Sequence, residues 1–168
     1  MTHRPSNKVS SPKKSAQDEW FWEGNVQKKL ANHLRKNGWE LVSVANTASR
    51  QQGIDIHAEK KKEGKTLLIE VKGYPSEMYN DPKRSGEKKK TPPTLQAGHW
   101  YSHAILKSMR LRTEDPEAQI VIGLPDFKRY RDLFTETESS LKKLKFQVWW
   151  VKKRKIEKWP TSDAPAQQ

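Results

Sequence analysis

Three residues of this 168-residue chain pair a reactive set of side chains with a spacing that can bring them together: Asp55, Glu70 and Lys72. Asp55 sits in Gly53-Ile54-Asp55-Ile56-His57-Ala58-Glu59, where apolar and polar residues alternate. Glu70 and Lys72 close the run Thr66-Leu67-Leu68-Ile69-Glu70-Val71-Lys72. Alternation at period two marks strands, and Lys60–Lys65 (KKKEGK) between them reads as a turn. A hairpin whose loop is 61–64 sets Asp55 opposite Glu70, with the two side chains about 5 Å apart at the base. Lys72 lies two residues further on and points the same way, roughly 7 Å along the strand. Ile54, Ile56, Ile69 and Val71 fall on the other face, which can bury against a helix.

Two carboxylates that close repel unless a cation lies between them. Hard oxygen ligands suit Mg²⁺ or Mn²⁺, ions that keep positions open for water and phosphate. Beside them the Lys72 amine can orient or deprotonate the attacking water and offset charge developing on a phosphorane. The chemistry implied is metal-assisted phosphodiester hydrolysis. The plain alternative is a solvated Glu-x-Lys pair in a lysine-rich chain. Glu70 and Lys72, however, end a strand whose other residues are apolar, and a charged pair there needs a reason.

The elements that must position these groups follow from periodicity. Trp22, Val26, Leu30 and Leu34 recur at helical spacing, with Asp18 and Glu23 near the start and Gly38 as a stop. A strand at 40–45 and a polar loop at 46–52 precede the hairpin. Residues 73–94 hold four Pro, two Gly and a basic cluster, and form a long loop. A helix over 95–112 has the stripe Ala97, Trp100, Tyr101, Ala104, Ile105 and Leu111. The apolar run 118–124 suits a strand buried on both faces, followed by an amphipathic helix at 126–143 and a strand at 145–151. The order α-β-β-β-α-β-α-β describes an α/β fold, one mixed sheet with helices on both faces. Residues 1–16 read as a disordered basic arm, 17–159 as a single domain and 160–168 as a disordered tail.

Composition narrows the function. With no Cys, thiolate metal sites, disulfide scaffolds and Cys nucleophiles are excluded. No apolar run is long enough for a membrane span and no signal peptide is visible, which points to a cytoplasmic protein. A formal net charge of +13 favours polyanions, nucleic acid first and an anionic membrane surface second. The charge is not laid along an amphipathic helix with a large apolar face, which disfavours the membrane.

Gly53-Ile54-Asp55-Ile56, followed by Ile69-Glu70-Val71-Lys72-Gly73 beginning fourteen residues after Asp55, resembles the PD-(D/E)xK nuclease superfamily, and most of all its RecB-like and Holliday-junction-resolvase-like branch. The resemblance covers roughly residues 20–151, since the element order follows the same pattern. Ile54 stands where the superfamily's namesake Pro would be. The resemblance implies a restriction-endonuclease-like fold and a magnesium-dependent deoxyribonuclease, an endonuclease; no base-reading helix motif is visible in the sequence, so low sequence specificity is expected. It implies that Asp55, Glu70 and the backbone carbonyl of Val71 hold the divalent metal and that Lys72 positions the water. An acidic residue from the first helix matches Glu23, which shares the face of Leu30 but also suits a helix N-terminus. The Gln of a Gln-x-x-x-Tyr helix motif matches Gln96, with the aromatic at Trp100 or Tyr101; a helix-start polar group bonding to backbone is the alternative.

Among the remaining features, His99 and His103 have i, i+4 spacing but no third ligand, and read as helix surface. His57 shares a face with Asp55 and could touch substrate, but reads first as a strand filler. Trp149 and Trp150 point to opposite faces, one to the core and the other free to stack or to pack beneath the C-terminal segment. Lys83, Arg84, Lys88, Lys89 and Lys90 on the long loop read as DNA phosphate contacts without base readout. Lys152 to Lys155 form a second run. A non-catalytic nucleic-acid-binding module that kept the fold is the main alternative. A dimeric Holliday-junction resolvase, or membership of a larger nuclease or defence complex, is also open.

Overall fold

The computed structural model describes residues 16–47, 53–79, 81–84 and 86–161. The arm expected over 1–16 and the tail over 160–168 therefore lie almost wholly outside the described residues. Helix α1 (Glu23–Lys36) is followed by β1 (Glu40–Val44), β2 (Ile56–Lys60) and β3 (Lys65–Val71). Then come α2 (Pro93–Glu114), β4 (Gln119–Pro125), α3 (Lys128–Lys143), β5 (Phe146–Val151) and β6 (Ile156–Trp159). All six strands form one mixed sheet in the order β1-β2-β3-β4-β5-β6. The expected element order is present with one addition: β6, four residues directly after a basic run, gives too short a pattern to be read as a strand.

The antiparallel strands β1, β2 and β3 lead into parallel pairs β3–β4 and β4–β5, and β6 returns antiparallel on β5. Two right-handed crossovers advancing in one direction put their helices, α2 and α3, on the same face of the sheet. The other face is left for α1, whose Val26, Leu30 and Leu34 pack with Ile56, Leu67, Ile69, Val71, Val121 and Trp149. On the α2/α3 face the core holds Leu68, Tyr101, Ile120, Ile122, Tyr130, Phe146 and Trp150. Covering both faces explains why β4 and β5 are buried almost throughout. Trp149 and Trp150 point to opposite faces as expected, and both are core: Trp150 packs on the α2/α3 face and Trp149 on the α1 face, where Lys158 of the C-terminal strand lies over its ring.

The β2–β3 hairpin has the register expected from the sequence: Ile56 pairs with Ile69, Ala58 with Leu67 and Lys60 with Lys65. Its loop is a 3-10 turn, Lys61–Glu63, closed by Gly64 at φ 61°, a left-handed conformation that costs glycine little. The strand begins at Ile56, however, and not at Gly53. Because the backbone leaves the ladder there, Ile54 does not join Ile56 on the α1 face; it packs into the α2/α3 core instead.

Candidate active site at the end of β3

Glu70 is fully buried, with 0% of its side chain exposed, and it projects on the α2 side at the end of β3. Lys72 follows Val71 just past the strand, and its N–H still donates to the Gly123 carbonyl at 3.0 Å, so the β3–β4 ladder fixes its backbone. Its ammonium donates to Glu70 Oε1 at 2.6 Å. Asp55 stands one residue before β2. Its carbonyl accepts from the Ala45 N–H (2.9 Å) and from Gln27 Nε2 (2.9 Å), which also donates to the Ala45 carbonyl. Its carboxylate Oδ2 accepts from the Val71 N–H at 2.7 Å. The carboxylate thus takes the place of a backbone acceptor where the ladder has run out, and this bond points Asp55 at Glu70.

Lys107, on α2, completes the group. Its Nζ lies 2.5 Å from Glu70 Oε2 and 3.8 Å from Asp55 Oδ1, so one ammonium spans both carboxylates. Glu70 Oε2 has no aligned hydrogen bond; it is neutralised by Lys107 without being satisfied in direction. Sequence reasoning passed over Lys107. The one available signal is the stripe Gln96, Trp100, His103 and Lys107, spaced by four, three and four residues alongside the buried stripe Ala97, Tyr101, Ala104, Ser108 and Leu111.

Burial, reinforced by the neighbouring Asp55 charge, raises the Glu70 carboxyl to about 7 despite its two lysine partners. Burial alone would lower Lys72, but Glu70, then Glu23 and Asp55, outweigh it and hold the ammonium above lysine's ordinary value. Glu23 is also raised, first by burial and then by Asp55, against the pull of Lys72 and the Gly73 N–H. Glu23 therefore lies within electrostatic reach of the cluster, although α1 covers the opposite face of the sheet. It gets there because Gly73 packs directly on the start of α1. A Cβ at Gly73 would lie 2.6 Å from the Glu23 nitrogen and 2.8 Å from the Phe21 carbonyl oxygen. The Tyr74 N–H donates to Phe21 (3.0 Å) and the Tyr130 hydroxyl to the Gly73 carbonyl (2.8 Å), pinning the turn after Lys72.

Gln96 does not touch Asp55, Glu70 or Lys72. It lines a neighbouring cavity of about 290 Å³ with Glu23, Gly73, Tyr74, Lys89 and Trp100, and its Oε1 accepts from Lys89 at 3.4 Å. His103 is exposed beside the site, and burial together with Lys72, Lys107 and Arg110 lowers its pKa. On the long loop, Arg84 pairs with Glu87 (2.9 Å) and stacks on Tyr79, while Lys88 lies 3.7 Å from Glu77. Part of that cluster's charge is thus used internally. Lys83 and Lys90 have no ion pair among the described residues.

Among the described residues no group of three His, Cys, Asp or Glu side chains is gathered as around a metal ion. The donor set still suits a hard divalent cation: two carboxylates converge on one point, and a cationic group already lies there. Comparison of the chain with protein-family models, with curated proteins and with solved structures gives no match.

Proposed function

We propose that this protein is a metal-dependent nuclease with a restriction-endonuclease-like fold, of the PD-(D/E)xK type, hydrolysing phosphodiester bonds in DNA. The observation that carries this reading is the convergence of Asp55, Glu70 and Lys72 at the end of β3, locked by the Val71 N–H bond to Asp55. Asp55, Glu70 and the Val71 carbonyl are the groups that would hold Mg²⁺ or Mn²⁺, which when bound supplies positive charge at the scissile phosphate and makes water more acidic. Glu23 stands ready as a further acidic group.

The chain's own residues do the rest. Asp55 is held by three hydrogen bonds through its carbonyl and carboxylate, so its orientation needs no reorganisation. Lys72 is kept protonated by its acidic neighbours. It therefore serves as a donor that orients water and stabilises charge on the phosphorane rather than as the base. Lys107 must release Glu70 before both oxygens can face a divalent ion, and the length of its side chain allows it to swing to a substrate phosphate. Lys89 supplies positive charge at the cavity beside Glu23, and Lys83 and Lys90 on the same loop, which have no ion pair among the described residues, add to it.

The bridging Lys107 favours one other reading: a nucleic-acid-binding module in which an ammonium permanently replaces the metal. One experiment separates the two. Supercoiled plasmid is incubated with the protein and Mg²⁺ or Mn²⁺, and in parallel with EDTA. Nicking that requires metal and is lost in Glu70→Ala and Lys72→Ala supports the nuclease. DNA binding with no cleavage under any metal supports the module.

A further inference from the structure

A second basic surface lies away from the long loop. The outer side of α1 and the turn joining β5 to β6 enclose a groove of about 280 Å³ lined by Lys29, His33, Lys36, Lys153, Arg154 and Lys155, and no acidic residue lines it among those described. The groove is built around a lysine: Lys29 Nζ donates to the carbonyls of Lys152 (3.2 Å) and Lys153 (2.9 Å), holding the turn against α1. Lys152 itself is committed elsewhere, to Glu157 at 2.7 Å and Asp126 at 3.2 Å. Lys36, Lys153, Arg154 and Lys155 are exposed and have no ion pair among the described residues. Burial, then Lys153, lowers Lys29; burial, then Lys158, lowers His33. Lys36, Lys153, Arg154 and Lys155 are thus held together with no acidic side chain paired to them among the described residues.

We propose that this groove is a phosphate-backbone binding site that takes a nucleic-acid strand leaving the β3 site. For the identity of the polyanion it rests on the reading of that site as acting on DNA. Val151 ends β5 level with Pro125, two residues beyond Gly123, which is level with Val71. The turn therefore leaves the sheet at the same edge as Lys72, two strands away, or about 10 Å. Helix α1 links the two places, with Glu23 at one end and Lys29 to Lys36 along the groove. The seven helical steps from Lys29 to Lys36 span about 10 Å, close to three nucleotide steps at about 3.4 Å per strand. The exposed large apolar side chains, Val42, Val44, Met78, Leu95, Leu106 and Met109, are not among the groove's lining. Ile156, partly buried, is the groove's one aliphatic lining residue, too little to enter a lipid surface.

Binding of a fluorescent 30-base-pair duplex is measured in EDTA across a salt series, where no cleavage is needed. The groove variant Lys153→Ala/Arg154→Ala/Lys155→Ala is compared with Lys62→Ala/Lys142→Ala/Lys143→Ala, which has the same net charge and an intact groove. The groove variant should bind about tenfold more weakly or worse, and its log–log salt slope should flatten by about 2.7, or 0.9 per contact. The matched control should keep the wild-type slope. Lys36→Ala, on the helix wall, should flatten the slope by about 0.9 and serves if the turn variant does not fold. Equal behaviour of groove variant and control overturns the proposal. So does an unchanged DNA slope accompanied by lost binding to vesicles containing phosphatidylserine. Absence of cleavage by the wild-type protein would defeat the nuclease reading and leave this result standing.

Discussion

Replacing Glu70 by Gln should make the metal-free protein more stable, although Glu70 contacts two lysines. In the folded state its carboxyl is raised from 4.5 to about 7, first by burial and then by Asp55. A group with a raised folded pKa contributes stability that is present below the unfolded value and lost as pH rises through the folded one. Ionising Glu70 at pH 8 therefore costs about 3 kcal/mol, taking 1.36 kcal/mol per pH unit. The amide of Glu70→Gln keeps the shape and never ionises. In EDTA at pH 8, the variant should exceed wild type by up to about 3 kcal/mol in denaturant unfolding. For a chain of this length that is roughly 6–12 °C in melting temperature. At about pH 4, where the Glu70 carboxyl is protonated in the folded state and largely so in the unfolded one, the two should coincide. A variant that is less stable at pH 8, or equally favoured at both pH values, would refute the idea that charge crowding is stored at the end of β3.

Lys107→Met should tighten binding of Mn²⁺, followed by calorimetry, by about tenfold or more, because a cation no longer has to be displaced from between Asp55 and Glu70; unchanged affinity would mean that the ammonium and the metal do not share a position. Gly73→Ala should cost about 1–3 kcal/mol in urea unfolding, since its Cβ meets backbone of Phe21 and Glu23 that cannot move without shifting α1; a neutral result would show that α1 can slide. Tyr130→Phe removes a buried bond to the Gly73 carbonyl and should cost about 1–3 kcal/mol, again read by urea unfolding, and wild-type stability would show that another group satisfies that carbonyl.

The hairpin was legible because two independent features agree on its register. KKKEGK demands a short loop, and the alternation Ile56/Ala58 against Leu67/Ile69 permits only one pairing over it. The Asp55–Glu70–Lys72 group followed from that register. Alternation puts Ile54 on the wrong face because it extends past the point where backbone pairing stops. At Asp55 a side chain, not a carbonyl, accepts the Val71 N–H, and periodicity does not distinguish the two. Gln27 and Lys107 act across elements far apart in sequence, and in a chain so rich in lysine the polar stripe of α2 is the one local mark of Lys107. Strand β6 is held by pairing to β5 and by Trp159 against Phe134, tertiary contacts that override a weak local pattern.

The most direct test of the central claim separates binding from chemistry at Lys72. DNA affinity in EDTA and the single-turnover cleavage rate with Mn²⁺ are measured for wild type and Lys72→Met. The account predicts near-equal affinity and a rate lower by about 10²–10⁴-fold. Cleavage at the wild-type rate by Lys72→Met would contradict it.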